Sequence, residues 1–206
     1  MRKGLVVLII AALALSAFAA EIHYGVTGGL NLAKFTGDNI DDTDMKVGFN
    51  AGAMLDIELI SMLSFQPELL FSVKGANSDD SDASLSLGYL EIPILAKITP
   101  VSNDKMDVSL FAGPFLSFKL SEKLMDSDGD EIDLDDDVYT GMDMGLTFGA
   151  GVAMPFAGDS KIGLQAGYEM GVANVIDTDD WNTILLGPEP EAKTTNIFLS
   201  AIIFFN

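Results

Sequence analysis

The sequence contains no cysteine, one histidine and one tryptophan, and it sets 11 basic side chains against 31 acidic ones. Without cysteine, disulfides and thiol chemistry are excluded, so any exported character has to be read from other features. With so few basic residues there is no patch to engage a phosphate backbone, and nucleic acid is excluded as a partner. Long apolar runs are also missing. After the first 19 residues no run reaches the roughly 18 residues of a membrane-crossing helix, yet the mean hydropathy is positive at +0.32. The single imidazole, His23, has no second histidine to support it, and Ser64, Ser72, Ser86, Ser109 and Ser117 have no other imidazole to serve them. Nucleophilic catalysis of the serine–histidine kind therefore has no basis here.

What is present begins with a leader. Arg2 and Lys3 precede an apolar core over 5–15, and Ala17-Phe18-Ala19 fits a small-x-small cleavage site. Residues 1–19 are expected to be a secretory signal peptide and 20–206 a single mature domain.

That domain is organised by period-two alternation. In 142–154 every even position is apolar (Met142, Met144, Leu146, Phe148, Ala150, Val152, Met154). Every odd position is small or polar (Asp143, Gly145, Thr147, Gly149, Gly151, Ala153). Strand side chains alternate faces, so this segment has one greasy side and one small or polar side. Its length suits a tilted transmembrane strand, which needs about 9–11 residues. Seven further segments read likewise: 24–35, 46–57, 64–74, 86–98, 107–120, 161–174 and 194–205. The connections alternate as well. Short turns fall near 61–62, 102–103 and 157–158, and longer loops at 36–45, 75–85, 121–138 and 175–193. Short periplasmic turns and long external loops are the mark of an outer-membrane barrel.

The expected fold is all-β: an eight-stranded antiparallel up-and-down transmembrane β-barrel in the outer membrane, embedded in lipid and monomeric. The competing architecture is a soluble barrel with the greasy face inward. Composition argues against it, because the second face is rich in Gly rather than in Lys, Glu and Thr. Pro67, Pro93 and Pro114 fall within strands and are expected at bulges, where a missing N–H is tolerated. Two aromatic belts are expected, with Tyr24, Phe65, Phe156 and Phe205 at the periplasmic ends and Phe35, Phe71, Phe118 and Tyr139 at the outer ends. Trp181 lies in the fourth loop, outside both.

Several motifs carry a family likeness. They are Gly25-Val26-Thr27-Gly28-Gly29-Leu30-Asn31, Tyr89-Leu90-Glu91-Ile92-Pro93-Ile94-Leu95-Ala96-Lys97, Phe111-Ala112-Gly113-Pro114, Asp143-x-Gly145 with Gly149-Ala150-Gly151, and Tyr168…Gly171…Asn174. In this order they resemble the PorT-like outer-membrane β-barrel family. The resemblance covers nearly all the mature chain and implies an eight-stranded barrel in a Gram-negative outer membrane. The namesake serves protein secretion, a role that the shared barrel alone does not carry over. The ending Phe204-Phe205-Asn206 departs from the terminal aromatic usual in barrel chains.

Two charge patterns bear on function. Glu68, Lys74, Glu91, Lys97, Asp143 and Glu169 all fall on lumen-facing positions. Charges there must be paired or strongly perturbed. They form either a plug of ion pairs, with Lys74 and Lys97 holding some of the acids, or an ion or proton path. Most of the remaining acids crowd the long loops, which reads as a solvated, repulsive rim. Within the third loop, Asp126, Asp128 and Asp130 with Asp137 at the twelfth place have the spacing of a calcium loop. Glu131 stands at the sixth place, where such a loop needs Gly. No other cofactor is expected. The functional reading is a non-enzymatic barrel with a filled lumen and acidic external loops, in a structural or adhesive surface role with an extracellular or envelope protein partner. The alternatives are an accessory component of a protein-secretion or envelope complex, or a narrow cation-preferring pore.

Overall fold

The computed structural model describes residues 21–37, 43–78, 84–125, 131–132, 140–176 and 191–205. The eight expected strands are present as β1 (Glu21–Thr36), β2 (Thr43–Ile60), β3 (Leu63–Ser78), β4 (Ser84–Ser102), β5 (Asp107–Met125), β7 (Met142–Pro155), β8 (Lys161–Gly171) and β9 (Lys193–Phe205). A two-residue strand, β6 (Glu131–Ile132), pairs antiparallel with the outer end of β5. Each long strand pairs antiparallel with its neighbours in sequence, and β1 pairs with β9. The ring is therefore closed and up-and-down, which leaves no sheet edge for lipid to meet.

The alternation decides which face meets what. Val26, Leu30, Val47, Leu69, Leu110, Leu146 and Leu199 point outward, with Val47 at 64% and Leu199 at 55% exposure. Asn31, Gln66, Lys74, Glu91, Asp143 and Asn196 point inward and are buried. That polarity, apolar out and polar in, is the reverse of a soluble barrel and excludes the lipocalin-like alternative. At the periplasmic end Phe205 sits opposite Tyr24 at the β1–β9 seam, so the penultimate aromatic meets lipid there.

The short turns are tight. Between β7 and β8, Gly158 adopts φ of 60° inside a reversal closed by Ser160 N–H to Ala157 C=O at 3.1 Å. A left-handed residue at a tight reversal is where Gly is cheapest. Between β4 and β5, the Asn103 side chain accepts from the N–H groups of Lys105 and Met106 at 2.9 and 3.2 Å.

Three expectations are corrected. The prolines do not sit at bulges. Pro67 keeps its pairing with Ile94 but has no partner on β2. Pro93 pairs with Phe115 and lacks a partner on β3, and Pro114 pairs with Leu146 and lacks one on β4. Each proline interrupts the ladder on one side only, with the register unbroken across the gap. The bulges lie elsewhere, between Gly88 and Tyr89 for example.

Phe35 is no belt residue. It is buried with Leu85, Leu87, Tyr89 and Val175 inside the outer end of the barrel, because Phe35 falls on the inward phase of β1. The seventh stave is shorter than expected and ends at Gly171. Beyond it, the Asn174 side chain accepts from Ile176 N–H at 3.2 Å and Ala192 N–H at 2.9 Å, which turns the chain inward instead of extending the strand. The leader, Tyr139, Trp181 and the calcium-like positions Asp126, Asp128, Asp130 and Asp137 lie outside the described residues.

Candidate functional site

Lipid dictates the outer wall of the barrel but not its interior, where the side chains are arranged in layers. At the periplasmic mouth, Lys161 pairs with Asp107 at 2.6 Å, and Ser102 donates to the same carboxylate at 2.6 Å. One layer deeper, Lys97 pairs with Asp56 and lies over the Phe204 ring, 5.0 Å from its centroid. Gln66 donates to Glu68 at 2.6 Å.

The next layer is centred on Lys74. Its ammonium pairs with Glu91 and, at 2.7 Å, with Glu169, and it stands 4.7 Å from the Phe115 centroid. Ser117 donates to Glu91 at 3.0 Å and Asn196 to Glu169 at 2.9 Å. Asn31 ties this layer to its neighbours. It donates to Ser72 Oγ at 3.0 Å and accepts from Asn50 and Asn196 at 2.8 and 3.3 Å, while Ser200 donates to Asn50 at 2.9 Å. Thr194 donates to Asp143. Above these polar layers, the outer end is lined by Phe35, Ala76, Leu85, Leu87, Tyr89, Val175 and Ala192, all buried.

Four phenylalanines complete the interior, and each faces a glycine directly across the ladder. The pairs are Phe111 with Gly149, Phe115 with Gly145, Phe198 with Gly167, and Phe204 with Gly25. A Cβ on Gly149 would stand 2.5 Å from Phe111 Cζ and 2.4 Å from the Ala166 carbonyl oxygen. The ring occupies the space that the missing side chain vacates. Phe111 and Phe198 in turn stack across the bore with centroids 6.3 Å apart.

All six lumen charges expected from alternation are inside and buried: Glu68, Lys74, Glu91, Lys97, Asp143 and Glu169. The structure brings Lys74, Glu91 and Glu169 together. Lys97 instead pairs with Asp56, which the sequence reading had not included. Asp56 lies on the inward phase of β2, between Leu55 and Ile57, so the alternation did mark it. The inward phenylalanines carried the same signal, since Phe111 and Phe115 occupy odd positions of a strand whose even positions are greasy. Among the described residues lie a cavity of about 110 Å³ at the periplasmic mouth and one of about 20 Å³ at mid-bore. The inner one suffices for about one water molecule.

Lys97→Met is expected to lower stability by about 2 kcal/mol, since it strands the Asp56 carboxylate near the mouth, where some water reaches. Chemical unfolding in detergent checks this. A loss below about 0.5 kcal/mol in the same measurement would deny the pair its role.

A closed antiparallel ring with a greasy exterior and a polar interior defines an integral barrel of the outer membrane. The chain belongs to the outer membrane protein beta-barrel domain family, whose model matches residues 16–177. The chain is also similar to solved barrels. OprG of Pseudomonas aeruginosa has 8% identity, covering 90% of this chain and 96% of its own, with a TM-score of 0.51. Neisserial surface protein A has 14% identity, covering 88% and 97%, with a TM-score of 0.50. Ail, the attachment invasion locus protein of Yersinia pestis, has 14% identity over 90% and 99% at a TM-score of 0.46. A search of curated proteins returns no match.

Proposed function

We propose that this is a non-enzymatic outer-membrane barrel whose bore is closed by its own side chains and whose acidic external loops serve a structural or adhesive surface role. One observation carries the reading: above the Lys74 ion cluster, the outer end is filled by the buried Phe35, Leu85, Leu87, Tyr89 and Val175 together with the buried Lys119–Glu122 ion pair. An ion leaving the polar layers has to shed water to pass side chains packed this closely, and the desolvation of a charge opposes that strongly. An interior of eight strands is just wide enough to be filled by side chains.

Within its family, the ordered motifs from Gly25 to Asn174 favour the PorT-like branch. That placement supports the barrel and not the secretion role of the namesake.

The reading is tested in two parts. Purified protein in planar lipid bilayers is expected to give no steady conductance, and a large constant open level would favour the cation-preferring pore instead. Cells displaying the barrel are expected to adhere to host or matrix surfaces through the loops, and to lose that adhesion when 126–137 is trimmed. Adhesion untouched by the trimming would count against the loops.

A further inference from the structure

The periplasmic mouth holds an arrangement that neither the lipid-facing wall nor the closed bore requires. Glu21 and Glu58 are direct cross-strand partners in the β1–β2 ladder, and His23 stands two residues along β1 on the same face. One ligand atom from each of the three lies within 4.8 Å of the others. His23 and Glu58 line the 110 Å³ mouth cavity.

Like charges directly opposite one another on a ladder repel. The usual remedy is a basic partner, and the two lysines bordering this cavity are already engaged, Lys97 with Asp56 and Lys161 with Asp107. Among the described residues no ion pair reaches Glu21 or Glu58. Two facing carboxylates thus have no counter-charge among the described residues, and the chain's single imidazole lies beside them at the same cavity.

We propose that Glu21, His23 and Glu58 form a binding site for a divalent transition-metal ion of the zinc class at the periplasmic mouth. Zinc takes imidazole nitrogen and carboxylate oxygen at about 2.0–2.2 Å, commonly with three protein ligands and one open position. Three donors within 4.8 Å of one another close on such an ion by side-chain rotation at the strand ends. The imidazole separates this class from calcium and magnesium, which prefer all-oxygen shells. A bound dication offsets the facing carboxylates, and the remaining coordination position turns to the cavity, where a small anion or water from the periplasm can reach it.

The test is calorimetry with zinc chloride on the mature barrel refolded in detergent, in parallel with His23→Ala, His23→Gln and Glu58→Gln. The parent is expected to bind one ion well above the weak background of the acidic loops, and each variant to weaken that event by about tenfold or more. All four proteins are expected to keep the folded mobility of the parent on an unheated gel, since the three side chains lie outside the buried layers. Millimolar calcium is expected to suppress the loop background and leave the tight event intact. Cobalt loading gives a second readout, a visible absorption band present in the parent and absent in His23→Ala. Identical isotherms for the parent and the His23 variants, or a parent event that calcium abolishes, would overturn the proposal.

Discussion

Lys74→Met is expected to destabilise the barrel by about 3–5 kcal/mol, the cost typical of breaking a fully buried ion pair by removing one partner. Lys74 is 2% exposed, and its ammonium contacts both Glu91 and Glu169. Methionine fills nearly the same volume, so the loss is electrostatic and leaves two carboxylates facing each other without a cation. The triple variant Lys74→Met, Glu91→Gln, Glu169→Gln is therefore expected to recover most of the loss, because neutral amides can bond to Ser117 and Asn196. Urea unfolding in micelles, followed by the loss of compact gel mobility, measures both. A single variant within about 1 kcal/mol of the parent would mean that the ion cluster is hydrated and contributes little.

Phe111→Ala is expected to be nearly as damaging, at about 3–5 kcal/mol for deleting a buried aromatic ring. The ring fills the place above Gly149, stacks on Phe198 and borders the small inner cavity, so its removal leaves a hole across the bore. Restoring volume from the other side is expected to fail. In the double variant with Gly149→Ala the new methyl still meets the Ala166 carbonyl oxygen at 2.4 Å, a backbone atom that cannot swing away. The double variant should be no more stable than Phe111→Ala alone, and thermal melts of the refolded proteins decide it. Clear rescue would show that the strands separate more readily than their register implies.

The strands and their phase were legible because lipid imposes a rule on every second residue. Val26, Leu30 and Leu199 have to be apolar, and the run of such positions predicts both the stave and its inner face. From that phase the inward placement of Glu68, Lys74, Glu91, Lys97, Asp143 and Glu169 followed directly. Their partners did not. Lys97 meets Asp56 across β2, β3 and β4, a relation set by strand stagger, which the alternation of any single strand does not contain. The prolines misled for a related reason. A missing N–H was expected to need a bulge, whereas Pro67 and Pro114 each forgo pairing on one side while the ladder beyond resumes in register. Phe35 misled because an aromatic near a strand end suits an interface on either face, and only its odd position on β1 places it indoors.

The seam between β1 and β9 runs from Tyr24–Phe205 to Thr36–Lys193, so the first strand and the last complete each other. Neither can find that partner until β9 has been delivered, and contacts of such long sequence separation are the slowest kind to form. Until then the growing sheet has two open borders, whose amides cannot be left bare in hydrocarbon. Insertion of this barrel therefore depends on something holding those borders apart from other chains, and closure by the final strand is the step that commits it to the membrane.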